Sequence, residues 1–167
     1  MRFQLEQQIH APGESVVEAF ADAEFYAALQ GVPKLAPPEV LERRTSGNTV
    51  QLLVRYRFTG EVSSAVRAVV DPNRFTWVEE ADHDLDARRV TFRLLPDHYA
   101  DRFRCAGRYE FEAAGERDTR RNCFGDLEVR MPLVGRRVEK AIVSGLRDHL
   151  DLEADLVARW ITDRGIG

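Results

Sequence analysis

The sequence predicts an α+β fold: a curved, seven-stranded antiparallel sheet wrapped around one long C-terminal helix, with two short helices after the first strand. Three observations carry this. Seven segments between residues 2 and 131 alternate apolar and polar side chains with a period of two, the mark of strands with one wet face. Two short stretches, punctuated by Pro12, Asp22 and Gly31, follow the first of them. Beyond Pro132 the period changes to that of a helix and holds for about 30 residues without another proline. A sheet with one apolar face needs a cover, and an amphipathic helix needs a floor, so each buries the other.

The elements follow in order. Phe3, Leu5 and Ile9 alternate with Arg2, Gln4, Glu6 and Gln8 as a first strand, which Ala11-Pro12-Gly13 ends. Residues 13–21 read as a short helix. Ser15 and Glu18 have capping-box spacing there, while Pro12 favours an earlier start. Asp22 is an N-cap candidate for a second helix over 22–30, and Gly31 a left-handed stop. Strands over 40–45 and 49–59 flank Ser46-Gly47-Asn48, a hairpin signal. Val50, Leu52, Val54, Tyr56 and Phe58 share one face of the second of these strands. Residues 63–71 fit a strand or a helical turn before Asp71-Pro72, and a short helix is the expectation. Strands over 74–81 and 88–95 join through 82–87, and strands over 102–113 and 119–131 through the turn Ala114-Gly115-Glu116. Pro132 stands where a helix start tolerates it. On the helix over 133–163, Val138, Ile142, Gly145, His149, Leu152, Leu156 and Trp160 form one stripe. Arg137, Lys140, Asp148, Asp151 and Asp155 lie opposite.

Composition narrows the function classes. A chain of 167 residues is expected to be one domain over 1–167, and 44% apolar with 31% charged residues is globular rather than disordered. The net charge of −4 argues against a nucleic-acid partner. No apolar run reaches about 18 residues and the first ten residues lack a signal-peptide pattern, so neither membrane insertion nor export is expected. Cys105 and Cys123 are too few for a disulfide framework and fit no zinc spacing; they read as buried thiols in a reducing cytoplasm. Of 24 basic residues, only Lys34 and Lys140 are lysines. Arg55, Arg57, Arg93, Arg104, Arg108 and Arg130 lie mainly opposite the apolar faces and mark the wet side of the sheet. The arginines within 117–121 and Arg136-Arg137 are interleaved with acids and read as solvated.

Four stretches carry a resemblance: Arg55-Tyr56-Arg57-Phe58-Thr59-Gly60, Phe75-Thr76-Trp77-Val78-Glu79-Glu80, Pro96-Asp97-His98-Tyr99, and Met131-Pro132-Leu133-Val134-Gly135 with Glu139. In this element order they resemble the START-like, or SRPBCC, helix-grip superfamily, which includes birch-pollen-allergen-like proteins, polyketide cyclases and lipid-transfer domains. The branch they look most like is bacterial and of unknown function. The resemblance covers essentially the whole chain. It implies an apolar cavity between the sheet and the C-terminal helix, and a small hydrophobic ligand, lipid-like or polyketide-like, within it.

The candidate cavity residues are Tyr56, Trp77, Glu79, Phe92, Phe103, Cys105, Tyr109, Leu127, Ile142, His149 and Glu153. His149 and Glu153 are helix neighbours at four-residue spacing, either a polar handle for a ligand or a seam histidine with one hydrogen bond. Glu79 shares a strand face with Phe75 and Trp77. It is either paired, neutral or near a mouth if it points inward, or else in water at the strand end. Tyr56 and Tyr109 face inward and their hydroxyls need partners. The cysteines read as inert. The segment 97–102, Asp97 to Arg102, is either a functional loop or a tied-down turn.

No catalytic, metal or cofactor constellation appears: the four histidines are scattered, the glycines make no phosphate loop, and there is no Gly-x-Ser-x-Gly elbow. Three classes stay open. A binding module comes first. A cyclase, dehydratase or hydrolase would use His149, Glu153, Tyr56 and Glu79 as acid and base. An interaction protein, as a homodimer, would fill its own groove.

Overall fold

The computed structural model describes residues 1–68 and 70–166. Strand β1 (Arg2–Ile9) leads to helices α1 (Gly13–Phe20) and α2 (Ala23–Ala28). Strands β2 (Glu39–Ser46) and β3 (Thr49–Arg57) form a hairpin. A single helical turn, α3 (Ser64–Arg67), and a 3-10 turn over Pro72–Arg74 come next. Strands β4 (Thr76–Asp84), β5 (Arg89–Pro96), β6 (Phe103–Ala113) and β7 (Thr119–Val129) precede the long helix α4 (Gly135–Asp163). The seven strands make one antiparallel sheet in the order β1-β7-β6-β5-β4-β3-β2. This is the helix-grip fold that the four stretches imply.

Local chemistry explains the boundaries. Asp22 caps α2, its Oδ1 accepting from Glu24 N at 2.9 Å. Ser15 does not cap α1: the N-cap is Pro12, and Ser15 is buried inside the helix. Gly31 and Gly47 have φ of 71° and 58°, the left-handed conformation a glycine adopts without strain. The expected short helix in 63–71 is α3, capped by Ser63; Val69 lies outside the described residues. Helix α4 begins at Gly135, two residues later than the pattern suggests.

The inward face is a continuous surface set by register. Tyr56 pairs with Trp77, and Val54 with Glu79. Glu79 pairs with Leu94, and Val90 with Tyr109. Tyr109 pairs with Cys123, and Phe111 with Arg121. Arg121 meets Gln7 of β1. Helix α4 buries Leu150, Ala154, Val157 and Ile161 against this face, while α1 and α2 add Val16, Phe20 and Phe25. The buried stripe of α4 also includes Glu139 and Glu153, so it is turned by about one residue from the apolar stripe read in the sequence. His149 sits on its flank, not at its centre.

The outward arginines behave as the strand pattern requires. Arg55, Arg57, Arg93, Arg104, Arg108 and Arg130 are all exposed. Arg93 pairs with Glu80 at 2.7 Å and Arg108 with Glu110 at 2.7 Å. Among the described residues no helix is long and apolar enough to cross a membrane.

Candidate functional site

A cavity of about 90 Å³ lies between the inward face and the middle of α4. Its floor is Tyr56, Trp77, Glu79, Ala81, His83, Val90, Leu94, Tyr109, Phe111 and Arg121 of the sheet. Leu146, His149, Leu150 and Glu153 of α4 roof it, with Phe20, Tyr26 and Leu35 completing the wall. Six predicted residues are therefore brought together: Tyr56, Trp77, Glu79, Tyr109, His149 and Glu153. Five are not in the wall. Phe92 stacks on Tyr109, centroids 4.8 Å apart, and so supports the wall from beside it. Gly107 makes room for that ring: a Cβ there would stand 2.8 Å from Phe92 Cζ. Cys105 and Leu127 are cross-strand partners in the packed core, and Phe103 and Ile142 pack on the core's edge.

The cysteines are unbridged and buried, and burial pushes both thiols up to about 12. That leaves negligible thiolate near neutral pH, in keeping with an inert role. The loop 97–102 is a tied-down turn away from the cavity. Arg55 reaches Asp97 at 3.4 Å, Arg102 reaches Asp101 at 3.7 Å, and Tyr99 Oη accepts from Asp71 N at 3.1 Å.

One expectation is overturned. Arg121 is not solvated; it is 2% exposed and lies at the heart of the site. Its Nη1 donates to Glu153 Oε2 at 2.6 Å, its Nη2 to Leu150 O at 2.8 Å, and its Nε to Gln7 Oε1 at 3.2 Å. Its guanidinium also lies 5.0 Å from the Phe20 ring and 5.5 Å from the Tyr109 ring. Burial is tolerable because the charge is matched and three of the five N–H donors are engaged. The signal was available. Arg121 has the same strand parity as Cys123, Leu127 and Val129, all of them inward.

Around this satisfied pair stand groups with unused capacity. Glu79 is in the wall, not in water at the strand end, and among the described residues it has neither a cation within 4 Å nor a side-chain hydrogen bond. Burial, with Glu153 nearby, pushes its carboxyl up to about 7 against the pull of Arg121. Burial, with Arg43 adding to it, holds His83 down to about 4, and among the described residues neither of its ring nitrogens has a partner. His149 Nε2 is 3.8 Å from Glu153 Oε1, while its Nδ1 is buried and unpaired among those residues. Burial holds His149 below its ordinary value despite Glu153, so the imidazole is neutral near pH 7. The Tyr26 hydroxyl donates to Phe20 O at 3.0 Å. Among the described residues the Tyr56 and Tyr109 hydroxyls have no such bond, and both phenols are held far above their usual range, first by burial and then by Glu79. Buried polar groups normally have partners, so a cluster of unanswered ones around a void marks where a guest would bond. Tyr26, His83 and Phe111 were missed in the sequence, although His83 continues the alternation of Trp77 and Glu79.

Solved structures share this fold. A Thermus thermophilus protein, TTHA0849, is 18% identical, with 98% of this chain and 99% of that one covered and a TM-score of 0.70. The Zhui aromatase/cyclase from Streptomyces sp. R1128 is 20% identical over 92% of this chain and 93% of that one, with a TM-score of 0.66. Norcoclaurine synthase from Thalictrum flavum is 13% identical over 97% and 86%, with a TM-score of 0.65. Identities this low establish the fold alone. Among curated proteins none matches the chain. Residues 4–161 match one family model, and on that match the chain belongs to the family described as protein of unknown function (DUF2505).

Proposed function

We propose that this protein binds a small, largely apolar molecule in the cavity between its sheet and α4. The observation that carries the reading is the wall itself. Aromatic rings, among them the stacked Tyr56–Trp77 pair with centroids 5.7 Å apart, surround a few polar groups that lack partners among the described residues. That is how small-molecule sites are built: apolar lining for affinity, few polar atoms for orientation. The void of about 90 Å³ has room for roughly three to six waters, and since a cavity of about 150 Å³ is what takes benzene, a ring-sized or longer guest must displace side chains.

Trp77 makes the reading testable. The chain has two tryptophans, and Trp160 packs on Phe25 outside the cavity wall. In Trp160→Phe, Trp77 is the sole reporter. Benzyl alcohol and 1-octanol should change its fluorescence saturably. A response no larger than that of free tryptophan to the same additives overturns the proposal.

A second reading, proton transfer to or from a bound substrate, is favoured by one observation: the Glu79 carboxyl at about 7 beside the void. It predicts catalysed exchange of the acidic methyl protons of acetophenone in D2O, lost in Glu79→Gln. Exchange equal in the two proteins removes it.

A further inference from the structure

We propose that the cavity selects a ligand with a cationic nitrogen, a small protonated amine, and rejects carboxylates; this rests on the binding reading above and names its ligand class. The inference comes from counting which buried charges are already answered. Among the described residues Arg121 is the sole arginine or lysine in the wall, and its Nε, Nη1 and Nη2 are all engaged by Gln7, Glu153 and Leu150. Three of its five N–H donors are thereby used and its charge is matched by Glu153, so the wall offers an incoming anion no unmatched positive charge. Glu153 is answered by Arg121. Glu79 is answered by none of the described residues, so with its carboxyl ionised the wall holds one negative charge in excess.

The surroundings suit a cation in two ways. A carboxylate in an apolar wall gains most from a positive partner, since little water competes there. The rings of Tyr56, Trp77, Tyr109 and Tyr26 also line the cavity that holds Glu79, and aromatic walls favour ammonium ligands. An anionic guest would meet Glu79 and Glu153 with neutral donors as its only help: the hydroxyls of Tyr56 and Tyr109 and the imidazoles of His83 and His149. A fatty acid carboxylate is thus a poor fit. The volume limits the amine to a short chain or, with side chains displaced, one ring.

Three probes of one size and three charges test this: benzylamine, benzyl alcohol and benzoate, titrated calorimetrically at about pH 8, where the Glu79 carboxyl is mostly ionised and the amine protonated. Benzylamine is expected to bind at least about tenfold more tightly than benzyl alcohol, a difference of one unpaired buried charge becoming paired, with benzoate unmeasurable. In Glu79→Gln the amine should fall to within about threefold of the alcohol measured in the same variant, with a cooperative urea transition showing separately that the variant is folded. Equal binding of amine and alcohol by the natural protein, or benzoate binding as tightly as the amine, overturns the charge assignment and leaves the binding reading standing. Failure of all three probes, with Trp77 silent, overturns both.

Discussion

Two corners of one cavity each hold a carboxylate, one buried and one half-buried, and they are built on opposite principles. In the Arg121 corner, Glu153 has a guanidinium 2.6 Å away that also binds Gln7 and Leu150 O. In the Glu79 corner, the carboxylate shares the wall with aromatic rings and two imidazoles, and among the described residues no cation stands within 4 Å of it. The first corner is closed in charge: Glu153 matches Arg121, and the bonds of the pair hold β7, β1 and α4 to one another. The second is open: its unmatched carboxyl costs the folded state, and on the binding proposal it is what a guest would use. On that proposal stability and recognition are divided between β7 and β4, on either side of one void.

The largest expected effect comes from breaking the closed corner. Arg121→Met leaves Glu153 buried without its cation and removes the side-chain donor that Leu150 O has in addition to its helical one. It should lower unfolding stability by about 3–5 kcal/mol, read from urea midpoints. Replacing both members, Arg121→Met with Glu153→Leu, should recover most of that loss, because a well-packed apolar pair carries no uncompensated charge. If Arg121→Met alone is mild, the pair is not closed and the two corners do not differ.

Much of this was legible in the sequence, and what was not has a common cause. The strands, their inward sets and the long helix follow from period, and Tyr56, Trp77, Glu79 and Tyr109 followed from parity. The stripe on α4 was misplaced because Glu139 and Glu153 look like wet-face residues. In the fold, Glu139 Oε1 accepts from Val129 N at 3.0 Å and Glu153 binds Arg121. Arg121 was read as solvated for the same reason. Hydropathy scores a residue alone, whereas a buried charge is decided by a partner 32 positions away. The size of the void was not legible either, since it depends on how Phe20, Phe111 and Leu146 fill the space between layers.

The next effect is pH-dependent and isolates the open corner. Glu79 has its folded value raised from 4.5 to about 7, so it binds a proton more tightly when folded. That stability is fully present below pH 4.5 and is lost as pH rises through about 7. Glu79→Gln should therefore stabilise the protein at about pH 8, by about 1–3 kcal/mol, and change little near pH 4.5. His83 works in the opposite direction. Its folded value is lowered from 6.5 to about 4, so its stability is present above 6.5 and lost as pH falls through about 4. The two slopes oppose each other in the natural protein between pH 4.5 and 6.5, and Glu79→Gln should expose the His83 loss on the acid side. Urea midpoints across this range check both; no gain at pH 8 would mean that Glu79 is already answered.

The smallest effect sharpens the contrast by removing burial from it. Glu80 is the next residue along β4 and points to the other face, where Arg93 Nη2 stands 2.7 Å from its Oε2. This pair is about as short as the buried one, yet the Arg93 side chain is 62% exposed. Water and salt already answer the Arg93 charge, although the Glu80 side chain is only 16% exposed, so holding the two together gains little. Arg93→Ala should move Tm by about 1 °C or less, and less still at high salt, where Arg121→Met should be insensitive to salt. Two neighbouring glutamates would then differ in consequence through the side of the sheet they occupy, with distance to a cation secondary. A large, salt-independent loss in Arg93→Ala would reverse that order and place structural weight on the outer face.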